Sequence, residues 1–121
     1  MKEIEDVLHN GINTIALFPV INPDKKDENG GEAVNENNLI STAIKNIKKE
    51  FPEIILIADV ALDPYTSHGQ DGIIDKKGYI VNDDTNNILV KQALSHAESG
   101  SDIIAPSDMM DGRIKLIRKE L

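Results

Sequence analysis

Four aliphatic residues in an unbroken row, Ile54-Ile55-Leu56-Ile57, give way abruptly to the polar stretch Ala58-Asp59-Val60-Ala61-Leu62-Asp63-Pro64-Tyr65-Thr66-Ser67-His68-Gly69-Gln70-Asp71-Gly72. A short run of branched apolar residues without polar alternation suits a strand covered on both faces. Such a strand belongs in a parallel sheet flanked by helices, so this run narrows the fold more than any other feature. The polar stretch holds three carboxylates (Asp59, Asp63, Asp71), the His68 imidazole and several hydroxyls. Pro64 stops regular structure, while Gly69 and Gly72 permit tight turns. From spacing alone the stretch is either an ordinary acidic loop or the wall of a site, because clustered acids point to function only in proportion.

The rest of the chain alternates in the same manner. Ile4, Val7 and Leu8 fall at helical spacing, and Gly11 stands where a left-handed cap would close that helix. Ile12 to Phe18 reads as a strand ending at Pro19. Residues 22–31 are charged, polar and turn-forming, which predicts a mobile loop. They do not make a calcium loop, since Lys26 and Asn29 occupy positions that require an oxygen ligand and a glycine. Leu39, Ile40, Ala43, Ile44 and Ile47 share a helical face, with Lys45, Lys48 and Lys49 toward water and Asn37 or Asn38 as cap. The strand at 54–58 follows. Ile73-Ile74 and Tyr79-Ile80-Val81 flank Asp75-Lys76-Lys77-Gly78, the pattern of a small hairpin. Asp84 or Thr85 caps a further helix carrying Ile88, Leu89, Ala93 and Ala97, closed by Gly100. Asp102 to Ala105 forms another strand, and Asp111 begins a last helix with Ile114, Ile117 and Leu121 on one side. Alternating buried strands and amphipathic helices imply an α/β fold with a parallel sheet and right-handed crossovers. Each strand exits into polar residues, and in such folds the carboxyl ends of strands carry the site. No glycine-rich phosphate turn follows the first strand, which counts against a dinucleotide fold.

With 121 residues, two Phe, two Tyr and no Trp, the chain can build one aliphatic core. A net charge of −8 argues against nucleic acid as a partner, since phosphate binding needs basic surface. The absence of cysteine excludes disulfides and thiolate metal sites. No apolar run approaches the ~18 residues of a membrane span. The acidic amphipathic start is unlike a signal peptide, so a cytoplasmic protein is expected.

The stretch from Asp59 to Gly72 resembles the signature loop of the porphobilinogen synthase (delta-aminolevulinic acid dehydratase) family. Ala105-Pro106-Ser107-Asp108-Met109-Met110-Asp111-Gly112-Arg113 and Ala16-Leu17-Phe18-Pro19 resemble two further segments of that family, in the family's order. Two long, unusual motifs in order are a far more specific signal than a lone glycine pattern. The resemblance implies a (β/α)8 TIM barrel, of which residues 1–121 would be one partial domain: about three β/α units with a hairpin inserted after the second strand. Such a barrel takes ~250 residues, so this reads as an internal piece. The family's arm and first strand would lie before Met1, and its later strands after Leu121.

Enzymes of the family condense two molecules of 5-aminolevulinate into porphobilinogen, a haem precursor, with loss of water. By this resemblance Asp59 and Ser107 are catalytic-site residues. Asp59 pairs with a substrate ammonium or orients a proton, and Ser107 lies near the first substrate lysine. For a bare Ser-Asp pair after a strand, a helix cap made by Ser107 or Asp108 is the competing reading. The two Schiff-base lysines belong to motifs absent here, and Lys76, Lys77, Lys91 and Lys115 are not promoted to that role. Ala61, Asp63 and Asp71 fill positions where zinc-dependent members carry cysteines. Asp63 and Asp71 are therefore expected to bind substrate, no metal ligand is assigned, and zinc is not expected, because carboxylates suit magnesium better. The resemblance implies magnesium as the metal the parent enzyme could use, bound by residues outside this stretch. His68 reads as structural, and Arg113 as the partner in a structural ion pair. His9 and His96 receive no special role. Residues 31–39 follow the family pattern in part. The parent is expected to be a homo-oligomer, an octamer in the family, taking 5-aminolevulinate and neither nucleic acid nor membrane. Two alternatives stand beside this: a catalytically inert fragment, and a metal-dependent barrel hydrolase using Asp59, Asp63, His68 and Asp71.

Overall fold

The computed structural model describes residues 1–121. Its main elements are α1 (Lys2–His9), β1 (Thr14–Leu17), α2 (Leu39–Glu50), β2 (Ile55–Val60), α3 (Asn82–Glu98), β3 (Ile103–Pro106) and α4 (Arg113–Glu120). The three strands make one parallel sheet in the order β1-β2-β3. β1 is shorter than the run 12–18 predicts, because Ile12 and Phe18 project into solvent beyond the ladder, 52% and 70% exposed.

Alternation along β2 sets the two faces of the sheet. Leu56, Ala58 and Val60 are fully buried and face the helices. Ile55, Ile57 and Asp59 face the other way, and that side is open: Ile55 and Ile103 are exposed. The helix side divides into two apolar clusters. One, built on Ile40, Ile44, Ile54 and Leu56, is covered by Ile4 and Leu8 of α1. The other, with Val60, Leu62, Tyr65, Leu89 and Met110, lies beneath the carboxyl ends of the strands. Ile104 packs against both.

The helix ends follow local rules. Gly11 has φ +78°, its N–H donating to Leu8 O while that of Ile12 donates to Val7 O, the paired bonds of a left-handed C-terminal cap. The same pair closes α3 at Gly100 and Ser101. Asn38 is the cap of α2, its Oδ1 accepting from Ser41 N–H at 2.8 Å while its amide donates to Glu32 O and Ala33 O.

Several expectations are corrected. α3 starts at Asn82, before Asp84 and Thr85, and Thr85 is no cap: its hydroxyl donates to Val81 O and accepts from Ile73 N–H, tying the hairpin base to the helix. The buried face of α3 is largely polar, with Thr85, Asn86, Gln92 and His96 joining Leu89 and Ala93. Leu39 is exposed, and buried Ser41 takes its place by meeting Ser95 of α3. Lys48 does not simply face water. Its Nζ donates to Pro52 O, Ile54 O and Asp102, whose Oδ2 also accepts from Leu56 N–H. That N–H bond first, and then Lys48, hold the Asp102 pKa down. α4 begins at Arg113 because Gly112 is left-handed, and only Ile117 of its apolar side is buried. The hairpin is narrow: one antiparallel bridge, Ile74 to Ile80, with bonds from Asp75 N–H to Tyr79 O and from Val81 N–H to Ile73 O. No helix is long and apolar enough to cross a membrane.

Candidate functional site

The carboxyl ends of β2 and β3 bring the motif residues to one edge. Asp59 is opposite Ala105 in the β2/β3 register, and Ser107 N–H extends that ladder to Val60 O. Ser107 lies two residues beyond Ala105, so Asp59, Ala105 and Ser107 share the open face of the sheet. The Ser107 side chain is exposed and makes no hydrogen bond, and no helix starts there, so a cap at Ser107 is excluded.

After β2 the chain turns through Leu62 and Tyr65, both buried, which leaves Asp63 on the outer side. Asp63 lines a cleft of about 490 Å3 with Gly69, Gln70, Asp71, Ile80, Asn82, Met109 and Met110. Partial desolvation at the cleft raises the Asp63 pKa, as do the adjacent Asp71 carboxylate and, more weakly, Asp59. Three acids therefore share one electrostatic neighbourhood, and a cation entering the cleft would relieve their repulsion. Behind them the Tyr65 hydroxyl faces the Gln92 side chain without reaching an aligned hydrogen bond. Burial, assisted by Asp59 and Glu32, pushes the phenol up to about 12.

The Gly72 backbone lies against α3 so closely that a Cβ there would come within 2.6 Å of Thr85 Oγ1. That contact fixes where Asp71 emerges. The opposite wall, 108–112, is clamped by α3. Asn82 Oδ1 accepts from Asp111 N–H at 2.8 Å, and the Asn82 and Asn86 amides donate to Asp111 O. Gln92 likewise donates to Ala61 O. Sequence reasoning missed these amide residues. Their only signal was polar residues recurring on the inner face of an otherwise amphipathic helix.

Asp108 is buried. Its Oδ2 accepts from Met110 N–H at 2.8 Å, an Asx turn rather than a helix cap, and Arg113 Nε lies 2.9 Å from its Oδ1. The Arg113 contact lies off the N–H axis, so it is an ion pair rather than an aligned hydrogen bond, and it gives Arg113 the structural role its sequence context implied.

His68 contributes no ligand atom to the cleft. Its Nδ1 accepts from Gln70 N–H at 3.1 Å and its Nε2 meets Glu28 O at 3.1 Å. With both nitrogens engaged by backbone, the metal set Asp59/Asp63/His68/Asp71 required by a barrel hydrolase does not form, and no three His, Asp or Glu side chains converge on a metal position. The donor set also does not fit thiolate zinc: Ala61 offers no ligand atom and is buried. Lys76, Lys77, Lys91 and Lys115 are all exposed on the hairpin or on outer helix faces. The loop 22–37 is not free. Two short 3-10 turns, Pro23–Lys25 and Gly31–Val34, shape it, and Asp27 forms a parallel bridge with Thr66.

The delta-aminolevulinic acid dehydratase family profile matches residues 1–121, the whole chain. The chain belongs to the delta-aminolevulinic acid dehydratase family. It is 56% identical over 121 residues to the delta-aminolevulinic acid dehydratase of Bradyrhizobium diazoefficiens, covering all of this chain and 34% of that protein. The delta-aminolevulinic acid dehydratase of Archaeoglobus fulgidus is 48% identical over 120 residues, 99% of this chain and 36% of its own. The chain thus spans about a third of the length of these relatives. Among solved structures, the Toxoplasma gondii enzyme in complex with the reaction product porphobilinogen superposes with a TM-score of 0.97 at 45% identity, over 99% of this chain and 34% of that one. The three parallel strands therefore correspond to part of a family barrel.

Proposed function

We propose that residues 1–121 form one partial barrel domain of a cytoplasmic enzyme that condenses two molecules of 5-aminolevulinate to porphobilinogen with loss of water. The observation that carries this reading is the acidic cleft of Asp63 and Asp71 beside Asp59, on a backbone that follows a product-bound family structure at a TM-score of 0.97.

The substrate amine is an ammonium at neutral pH. Entering between Asp63 and Asp71, it replaces their mutual repulsion by two charge-assisted hydrogen bonds. Asp59, at the strand end, accepts or orients a proton of the same substrate, and Ser107, on the same sheet face, offers a hydroxyl beside the first substrate. The carbonyl carbons are held by Schiff-base lysines that the other two thirds of the barrel would supply. A magnesium ion in the parent, bound outside this stretch, and assembly into a homo-oligomer complete the reading.

The test is a chimera in which this chain replaces the corresponding third of the Bradyrhizobium relative. We expect pyrrole formation that survives a zinc-selective chelator. Asp63→Ala and Asp71→Ala should weaken binding of the second substrate at least tenfold while leaving borohydride trapping of the first intact. An inactive chimera that folds, or one whose activity is lost on chelation and restored by zinc alone, refutes the proposal. Unchanged substrate dependence in both variants refutes the carboxylate roles.

A further inference from the structure

We propose that His68 is a positioning residue: it latches the cleft loop to the strap formed by residues 27–31 and so holds Asp71 against Asp63. The inference rests on the reading of those two carboxylates as the substrate-ammonium site.

The latch is built in three steps. Asp27 shapes the strap first. Its Oδ1 accepts from Asn29 N–H at 2.8 Å and Gly31 N–H at 3.1 Å, and a Cβ at Gly31 would lie 2.8 Å from Asp27 Oδ2, so the turn is closed around that carboxylate. The strap then pairs with the cleft loop as a short extra ladder: Asp27 N–H donates to Tyr65 O at 3.3 Å and Ser67 N–H to Asp27 O at 2.9 Å. His68 makes the last connection. Gln70 N–H donates to Nδ1, so the ring proton is on Nε2 and donates to Glu28 O. Only the neutral Nε2–H tautomer satisfies both bonds. The Thr66 hydroxyl donates to Gln70 O at 2.8 Å, so both backbone groups of the residue before Asp71 are fixed. On the far side, Gly72 is pinned against Thr85. Asp71 is thus suspended between two restrained neighbours, and one of those restraints passes through His68.

A purely structural histidine would, if lost, reduce yield and stability without a kinetic signature. A positioning histidine changes substrate dependence. In the chimera, His68→Ala should raise the 5-aminolevulinate concentration for half-maximal rate about tenfold, with kcat changed by less than about twofold and Schiff-base trapping intact. His68→Asn should recover only part of the loss, because its Oδ1 can accept from the N–H two residues on, as Nδ1 does, while its shorter amide does not replace the Nε2–H bond to Glu28 O. A fall in kcat alone, or an Asn variant no better than Ala, overturns the proposal. Long-range 1H–15N spectra of the unsubstituted chimera read the latch without mutation. A His68 ring protonated on Nδ1 overturns it, and an Nε2–H ring with unprotonated Nδ1 supports it. If the unsubstituted chimera makes no pyrrole, the substrate reading fails by itself. The Asp63 carboxyl 13C titration then still decides the role of His68. Its midpoint should move down toward the ordinary aspartate range in His68→Ala as Asp71 swings away, and an unmoved midpoint in a folded variant overturns the latch.

Discussion

The Asp108 carboxylate, wholly enclosed, lies 2.9 Å from the Nε of Arg113, and the same guanidinium donates through Nη1 to Met110 O at 2.8 Å. Arg113 therefore closes the 108–112 wall of the cleft from behind. Removing the partner of this enclosed carboxylate leaves an uncompensated charge, so Arg113→Ala should cost about 3 kcal/mol. Burial raises the Asp108 pKa, while Met110 N–H and Arg113 oppose the rise. A carboxyl with a raised folded pKa favours the fold when protonated: its contribution is present below ~3.9 and is lost as pH rises through the higher folded value. Arg113→Ala should carry that loss to higher pH, and Asp108→Asn in the same background should recover part of the stability. Urea midpoints of the chimera from pH 4 to 8 check this.

His96 gives the opposite slope. It is fully buried, neither ring nitrogen has a partner, and burial lowers its pKa to about 4. The unfolded chain takes up the proton near ~6.5, so stability is complete above that value and declines as pH falls from there toward 4. The loss should approach about 3 kcal/mol at the acid end. His96→Phe, which neither titrates nor leaves buried nitrogens unpaired, should flatten the decline between pH 6.5 and 4. An equal decline in the variant would assign the acid sensitivity to other groups.

The open face of the sheet predicts the behaviour of the isolated chain. Phe18 is 70% exposed, Ile55 and Ile103 are exposed on the same side, and the outer edges of β1 and β3 have no partner. Unpaired parallel edges and exposed apolar surface invite association. At micromolar concentration the 121-residue chain should sediment as oligomers or unfold without cooperativity. A monodisperse monomer with a sharp thermal transition would contradict this.

What the sequence made legible follows from the range of the forces involved. The run Ile54–Ile57 announced the strand itself, because such a strand is written in consecutive residues. Its expected cover on both faces is half present: Ile54 and Leu56 are fully buried, whereas Ile55 is exposed and Ile57 half-buried because no helix of residues 1–121 covers that side. The helical cap at Gly11 was readable because it too is local, and that of α2 was narrowed to Asn37 or Asn38, of which Asn38 is the cap. The polar inner face of α3 was not. Asn86 and Gln92 are buried because they satisfy carbonyls 25 and 31 residues away, and no local period records such a partner. Lys48 looked like a solvent lysine because its acceptors, Ile54 O and Asp102, come from β2's start and from the approach to β3. In the site, Asp59, Asp63 and Asp71 lie on one contiguous stretch and were visible together. The tie from His68 to Glu28, 40 residues upstream, had only the charged, glycine-bearing strap as a hint, and that strap read as a mobile loop.

The pairing of Asp59 with Ala105 has a consequence for how such a chain can change length. A methyl group opposite the acid leaves a notch at the sheet edge, and the same register carries the Ser107 hydroxyl to the acid's side. Inserting one residue between Gly100 and Ile103 would slip β3 by one position, put Ile104 opposite Asp59 and turn Ser107 toward the helices. The hairpin at 73–81 is joined by one bridge and its tip is exposed, so it can lengthen without disturbing that register. Tolerance to insertion should therefore differ sharply between two turns of similar size: one sets the spacing of the Asp59 and Ser107 side chains, and the other only borders the cleft.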